Sequence, residues 1–336
     1  MKTQAKKREG QQGAHSCIML LPGDLTVKVE TPVAVFHQPQ MQMIAHNYLP
    51  GLQIRIPADE AQDQAHSDVT LTVTWVESPL PSLRTGRRHI TLFDRFQGQG
   101  SCLDLINLIY SACRLLWHEQ GIYSLHSACL SDADREGSAA TLLIGHSGTG
   151  KTSLALELAR RGGKIFSGNR TLVAIREGKL VALAGTRTMT RSRQTEEQFE
   201  SAAPPASEES AVCARAPTDY LERRAYSLAP DAYESRTQVT IATIALARLN
   251  DGAAQIEELE SLSALHRLFP YFTDAFGADT VLAGGALVFV GSTGSALMKA
   301  QRAKLSNDLA GALKSCRCLA VSGSLHFVAS TLRGKL

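Results

Sequence analysis

The chain has 336 residues, of which 44% are hydrophobic and 20% are charged. These values are ordinary for globular proteins and exclude a wholly disordered or fibrous chain, and the length suffices for one large domain or two modest ones. The formal net charge of +3 is too small to indicate a nucleic-acid or polyanion binder. The seven cysteines show no metal-ligand spacing, so we expect reduced thiols in a cytoplasmic protein.

The first hundred residues predict β-structure behind a short tail. Residues 1–16 are expected to be a disordered tail, because the apolar patch at 18–21 is too short for a secretory signal. Beyond it, apolar and polar residues alternate, as in Leu25, Val27 and Val29. Alternation with period two predicts strands with one buried face and favours antiparallel pairing. We therefore predict a small, mainly antiparallel β accessory domain over residues 17–100, with no chemistry of its own.

From residue 101 the apolar spacing changes from period two to helical. Leu105, Ile109 and Leu116 predict a helix that ends near Gly121. Strands and helices then alternate, which predicts an α/β layer architecture over residues 101–336. The expected strands lie at 122–130, 139–144, 164–166, 180–184, 238–246 and 286–290, the expected helices at 151–161, 261–268 and 297–313, and a terminal hairpin near Ser322 and Gly323.

Two segments of this second part are unusual in composition. Residues 194–218 are rich in Ala, Ser, Pro and Glu, and predict a mobile loop or lid inside the domain. Residues 280–298 carry no charge, but their glycines predict a strand–turn–helix unit and not a membrane span. The run Gly291-Ser292-Thr293-Gly294-Ser295 lacks the lysine of a phosphate loop and is predicted to be the turn of that unit.

The strongest motif is Gly145-His146-Ser147-Gly148-Thr149-Gly150-Lys151-Thr152, which satisfies G-x-x-x-x-G-K-[ST] between a predicted strand and a predicted helix. The glycines allow successive backbone N–H groups to point at phosphate oxygens, and the helix N-terminus adds its positive end. We expect Lys151 to reach the β- and γ-phosphates of ATP and the Thr152 hydroxyl to bind Mg²⁺. GTP stays an alternative ligand, and the His146 ring is predicted to be a bystander.

The predicted strand after the P-loop helix has no acidic residue at its end. It is followed by Ser167-Gly168-Asn169-Arg170, whereas P-loop proteins usually place there, or on another strand, a carboxylate that holds Mg²⁺ or positions the nucleophile.

Residues 122–175 resemble the catalytic domain of HPr kinase/phosphorylase and of smaller HPr-kinase-like proteins. The resemblance rests on Leu125-His126-Ser127-Ala128 before the P-loop strand, on the P-loop, and on residues 154–162, which are similar to the A-L-E-L-x-x-R-G run of that family. It implies the P-loop fold of the HPr kinase C-terminal domain, phosphoryl transfer from ATP, and a position for His126 beside the γ-phosphate. Relatives are often oligomeric, which leaves a homo-oligomer open.

The sequence departs from the family at its Asp-Asp pair, where this chain has Gly168-Asn169. In the family that pair assists magnesium and supplies the base. The neutral carbonyl of Asn169 can contact Mg²⁺ or its water, but it does not accept a proton at neutral pH. Three explanations stay open: His126 acts as the base, the acceptor is already ionised, or the protein binds nucleotide without turning it over.

These observations predict an ATP-dependent kinase that transfers the γ-phosphoryl group to a small metabolite or a peptide side chain in a biosynthetic or modification pathway. Lys151, His126, Asn169 and Arg170 are the expected catalytic residues, and Thr152 and Asn169 the expected metal ligands. No nucleic acid or membrane is expected as a partner. The alternatives are a non-catalytic ATP-binding switch or scaffold, whose lid orders on binding, and a P-loop ATPase.

A set of arginines after the strand at 180–184 suits an anionic ligand, or else forms a solvated surface. Its members are Arg187, Arg191, Arg193, Arg223 and Arg224.

Overall fold

The computed structural model describes residues 15–57, 68–80, 82–86, 88–95, 99–132, 139–192, 223–227, 230–273, 280–283, 286–289 and 295–333. These residues form a mixed α/β structure with two principal sheets. Residues 1–14 of the predicted tail, the predicted mobile loop at 194–218 and the glycine-rich turn at 291–294 lie outside the described residues.

The first sheet has six strands and one associated helix. The strand order is β3-β1-β2-β4-β6-β5. The strands are β1 (His15–Leu21), β2 (Leu25–Thr31), β3 (Gln53–Arg55), β4 (Leu71–Glu77), β5 (Ser82–Thr85) and β6 (His89–Asp94), and the helix is α1 (Pro39–Tyr48). His15 and Ser16, which the sequence assigned to the tail, belong to β1.

The first sheet is mixed, which corrects part of the sequence-based expectation. The pairs β1/β2, β1/β3 and β5/β6 are antiparallel as predicted, but the central pairs β2/β4 and β4/β6 are parallel. Alternation reports that one face of a strand is buried and does not report the direction of its neighbour. Helix α1, which begins with Pro39 at its first turn and buries Met41, Ile44 and Ala45, was not predicted.

The second sheet has nine strands. Seven follow the order β10-β8-β9-β15-β12-β11-β7, and β19 pairs with both β15 and β16. Its strands are β7 (Ile122–Leu125), β8 (Ser127–Asp132), β9 (Ala139–Ile144), β10 (Gly163–Ser167), β11 (Thr171–Arg176), β12 (Lys179–Gly185), β15 (Val239–Leu249), β16 (Gln255–Glu258) and β19 (Arg317–Gly323). Strands β9, β15 and β19 run parallel to one another.

Two short hairpins, five more α-helices and two 3-10 helices at Val35–His37 and Pro230–Ala232 complete the described chain. The hairpins pair β13 (Thr188–Ser192) with β14 (Arg223–Ser227), and β17 (Thr280–Ala283) with β18 (Ala286–Phe289). The helices are α2 (Gln99–Glu119), α3 (Lys151–Arg160), α4 (Ser261–Thr273), α5 (Ser295–Leu313) and α6 (Leu325–Arg333). Among the residues described, no helix is long and apolar enough to cross a membrane.

Most of the predicted elements after residue 101 are confirmed, and two are wrong. The strand expected at 122–130 is two strands, β7 and β8, which separate at His126. The expected terminal hairpin is the end of β19 followed by α6. Ser324 lies before that helix and its hydroxyl accepts a hydrogen bond from the Phe327 N–H (3.3 Å), so the Gly-Ser pair begins a helix.

Helices cover both faces of the second sheet. On one face, α3 and α6 pack on β9, β15 and β19 through Leu154, Leu158, Val328 and Leu332. On the other, α4 and α5 bury apolar side chains that include Leu268 and Leu305. This three-layer arrangement agrees with the predicted α/β layer architecture.

Helix α2 joins the two sheets. Its Trp117 is fully buried in a cluster that contains the apolar face of the first sheet and extends to Leu172 and Ala174 of the second. The Trp117 indole N–H donates to the Pro22 carbonyl (2.7 Å). The helix that the sequence placed at the start of the second domain therefore contributes to the core of the first sheet.

A buried histidine on α2 predicts how stability depends on pH. Burial, and then the charge of Arg114, lower the pKa of His118 from 6.5 to about 3. Below pH 6.5 the unfolded chain binds a proton that the folded chain excludes, so the free energy of unfolding decreases as the pH falls towards 3.

We expect His118→Gln to remove up to about 1.4 kcal/mol of this loss per pH unit between pH 6 and pH 4. Urea unfolding at several pH values measures it, with substitution of the exposed His89 by glutamine as the control. Parallel pH profiles for wild type and His118→Gln would contradict the prediction.

Candidate nucleotide-binding site

The predicted phosphate loop connects the end of β9 to the first turn of α3. Gly148 has φ +83° and Gly150 has φ +89°, both in the left-handed region that favours glycine. Gly150 is the N-cap of α3, and the first helical hydrogen bond runs from the Leu154 N–H to the Gly150 carbonyl (2.9 Å). The amides of residues 151–153 therefore precede the helical ladder, at the positive end of the helix.

Two glycines allow the loop to lie against the carboxyl end of β15. A Cβ atom on Gly145 would lie 2.6 Å from Thr149 Oγ1 and 3.1 Å from the Ala247 carbonyl oxygen. A Cβ atom on Gly150 would lie 2.4 Å from Leu249 Cδ1. The Leu249 N–H donates to the Thr149 carbonyl (2.9 Å) and ties the strand to the loop.

The lysine of the motif folds back over the loop. Lys151 is buried, and its Nζ donates to the carbonyls of Gly145 (2.7 Å) and His146 (2.8 Å). These contacts hold the ammonium group against the carbonyls of the loop. Thr152, the expected metal ligand, is half-buried in the first turn of α3.

Strand pairing brings His126 and Asn169 to the entrance of the loop. His126 is exposed and precedes Ser127, which pairs in register with Ile144, the last residue of β9. The Ser127 N–H donates to the Asn169 carbonyl (3.1 Å). The segments at positions 126 and 145, which carry part of the family resemblance, therefore meet the segment at position 169, where the chain departs from the family.

The side chains of Asn169 and Arg170 contact the first sheet's helix α1 and helix α2. Asn169 Nδ2 donates to the Asn47 carbonyl (3.1 Å) at the end of α1. Arg170 Nη1 donates to the Tyr110 hydroxyl (2.6 Å), and its guanidinium carbon lies 4.0 Å from the centre of the Tyr110 ring. The structure thus places the backbone of these residues beside the loop and gives their side chains other partners.

The run that resembles A-L-E-L-x-x-R-G joins two helices. Glu157, which is buried, pairs with Arg160 (2.9 Å) and Arg161 (2.7 Å), and these contacts lower its pKa although burial opposes them. Arg161 Nη1 also donates to Ser330 Oγ (2.8 Å) on α6. This part of the resemblance contacts the loop through the Leu154 N–H, and its residues Glu157 and Arg161 position α3.

The predicted arginine set is only partly brought together. Arg191 and Arg224 are paired in register in the hairpin of β13 and β14, and Arg223 pairs with Ser192. Arg187 is exposed and donates to the Glu234 carbonyl (3.3 Å). Arg193 lies outside the described residues.

Two contacts were missed from the sequence, one at the loop and one at the opposite end of β8. The His146 ring lies 5.4 Å from the ring of Tyr271 on α4, so an aromatic side chain borders the loop. Glu234, which is buried, accepts hydrogen bonds from Arg236 (2.7 Å) and from Ser131, and these lower its pKa to about 2. No local pattern signals the contact of His146 with Tyr271 or the contact of Ser131 with Glu234, because the partners in each of these pairs lie more than a hundred residues apart.

No model of a known protein family matches the chain, and no curated protein matches it either.

The surroundings of Gly148 and Gly150 predict that alanine lowers the free energy of unfolding by different amounts at these two positions. Gly148→Ala strains a left-handed residue with no atom near its Cβ, and we expect a loss of about 1–2 kcal/mol. Gly150→Ala adds the collision with Leu249, and we expect about 1–3 kcal/mol more. Denaturant unfolding of both variants measures the difference, and equal losses would argue against the packed arrangement of the loop.

Proposed function

We propose that this protein binds ATP with Mg²⁺ and transfers the γ-phosphoryl group to a small metabolite or a peptide side chain, as a P-loop kinase of the HPr-kinase-like type. One observation carries the proposal. A glycine loop lies between a buried strand and a helix N-terminus, and Lys151 Nζ is held over it by the carbonyls of Gly145 and His146. Backbone amides, helix dipole and lysine all favour an anion at that point.

The fit of the residues to a nucleotide supports this assignment. A side chain at 150 would collide with Leu249 and would need a left-handed backbone, so this position of the loop requires glycine, and a side chain at 145 would displace the Thr149 hydroxyl and press on the Ala247 carbonyl. When ATP enters, Lys151 would exchange the two carbonyl oxygens for phosphate oxygens and neutralise part of the charge that develops during transfer. Thr152 would hold the metal through its hydroxyl, and Mg²⁺ would supply charge neutralisation between the phosphates.

His126 is the proposed base. It is exposed at the loop entrance, next to Ser127, which pairs with the last residue of the P-loop strand. A neutral imidazole accepts a proton near pH 7, whereas the amide of Asn169 does not. Asn169 uses its Nδ2 to contact Asn47, so its Oδ1 is the atom that could contact the metal or a water on it.

A second candidate function is a nucleotide-dependent switch without phosphoryl transfer. It is favoured by the contacts of Asn169 and Arg170 with Asn47 and Tyr110, since these engage the side chains that would otherwise face the acceptor. ATP hydrolysis without an acceptor is the third reading. A homo-oligomer, a cytoplasmic location and the absence of nucleic-acid partners stay predictions.

Lysine substitution tests nucleotide binding. We expect Lys151→Ala to weaken ATP binding at least roughly tenfold, because a charge-assisted contact to the phosphates is lost. Calorimetry with ATP and Mg²⁺ measures the affinity, and Lys179→Ala, which removes an exposed lysine from β12, is the control. Absence of any heat with ATP or GTP in the wild type would reject the proposal.

The destination of the γ-phosphoryl group separates the three functions. Wild-type protein is incubated with γ-labelled ATP, Mg²⁺ and candidate acceptors. Label in an acceptor supports the kinase, label only in free phosphate supports the ATPase, and bound but unreacted ATP supports the switch.

A further inference from the structure

The turn at residues 168–170 is held by a single buried threonine. Gly168 N–H donates to the Thr186 carbonyl (2.8 Å), and the amides of Asn169 and Arg170 both donate to Thr186 Oγ1 (3.1 Å each). Thr186 is buried. The backbone of the turn is therefore fixed, and the directions of its side chains follow from it.

Asn169 supplies a hydrogen bond that helix α1 cannot make for itself. The last four carbonyls of an α-helix have no partner within the helix, and Asn47 is the penultimate residue of α1. Asn169 Nδ2 donates to this carbonyl (3.1 Å). Asn47 is buried, and its own Oδ1 accepts from Thr188 Oγ1 (3.0 Å), two residues beyond Thr186.

An ionised acid does not fit this contact. A carboxylate has no proton to donate to the Asn47 carbonyl, and it would bring a negative charge to the negative end of α1. At position 168 there is no room for any side chain. A Cβ atom there would lie 2.5 Å from Met189 Cγ and 2.9 Å from the Thr188 carbonyl oxygen, and Met189 is fully buried.

We propose that Asn169 is a positioning residue that joins the first sheet to the nucleotide-binding part of the chain, by capping the C-terminus of α1. The same residue accepts the Ser127 N–H on its backbone carbonyl, and Ser127 pairs with the last residue before the P-loop. One residue thereby links helix α1 to the entrance of the loop. Positions 168 and 169, at which the family has its acid pair, therefore connect helix α1 to the loop in this chain. Only the link of this connection to nucleotide chemistry rests on the proposed function.

The substitution Asn169→Asp distinguishes two roles of residue 169: a hydrogen-bond donor that holds helix α1, and a metal ligand that has lost its charge. The aspartate side chain would keep the oxygens that a cation needs and lose the donor that α1 needs. In full-length protein without nucleotide, we expect Asn169→Asp to lower the melting temperature by roughly 3–6 °C at pH 8. The loss should shrink towards pH 5, because a protonated carboxyl group can donate to the carbonyl again.

Asn250→Asp is the matched control. Asn250 is exposed and uses Oδ1 to accept the Gly252 N–H (3.2 Å), a role that a carboxylate keeps. We expect its melting temperature to stay within about 1 °C of the wild type at both pH values. Asn169→Ala, which removes the donor and adds no charge, should lose less than Asn169→Asp at pH 8 and show no such pH dependence.

Amide hydrogen exchange tests the link to the loop. In Asn169→Asp at pH 8 we expect faster exchange in α1 and at Ser127, and unchanged exchange in both for Asn250→Asp. Equal stability of these two variants at pH 8, or a rise in phosphoryl transfer with Asn169→Asp, would overturn the proposal. If Lys151→Ala leaves ATP binding unchanged, the proposed function fails. The comparison of Asn169→Asp with Asn250→Asp is made without nucleotide, so it still tests the role of Asn169 in that case.

Discussion

The close approach of one loop to one strand end is the constraint on which the candidate site depends. Strands β9 and β15 are parallel neighbours, so their carboxyl ends meet, and the loop that leaves β9 must pass Leu249 before α3 can begin. At position 150, glycine permits that passage, because a Cβ atom there would lie 2.4 Å from Leu249 Cδ1. The helix N-terminus and Lys151, whose Nζ donates to the Gly145 and His146 carbonyls, therefore lie at one loop.

The rest of the second sheet supports this geometry. Glu157 binds two arginines, Arg160 in its own helix and Arg161 just beyond it, and Arg161 extends to α6, so the helix that begins at the loop is tied to its neighbour. Leu154 and Leu158 bury the same helix against the sheet. A helix fixed by charge on one side and by apolar packing on the other holds its N-terminus in place, and the orientation of its amides follows.

The first sheet is connected to the site by contacts that are polar and directional. Arg170 stacks on Tyr110 of α2, and Asn169 donates to the end of α1. An amide is suited to this position because it offers a donor without a charge. The difference between asparagine and aspartate at residue 169 is thus a difference in hydrogen-bond direction, and it bears on how the two sheets are held together as much as on metal binding.

The elements that could be predicted from the amino-acid sequence are those whose signals are local. The loop at 145–152, the strand before it and the helix after it follow from glycine spacing and apolar periodicity within about twenty residues. Alternation predicted β-structure for this part of the chain, but the parallel central pairs of the sheet and helix α1 depended on how the chain returns across the sheet. The contact of Asn169 with Asn47 could not be predicted, because the two residues lie 122 positions apart and no pattern in either segment records which group donates and which accepts.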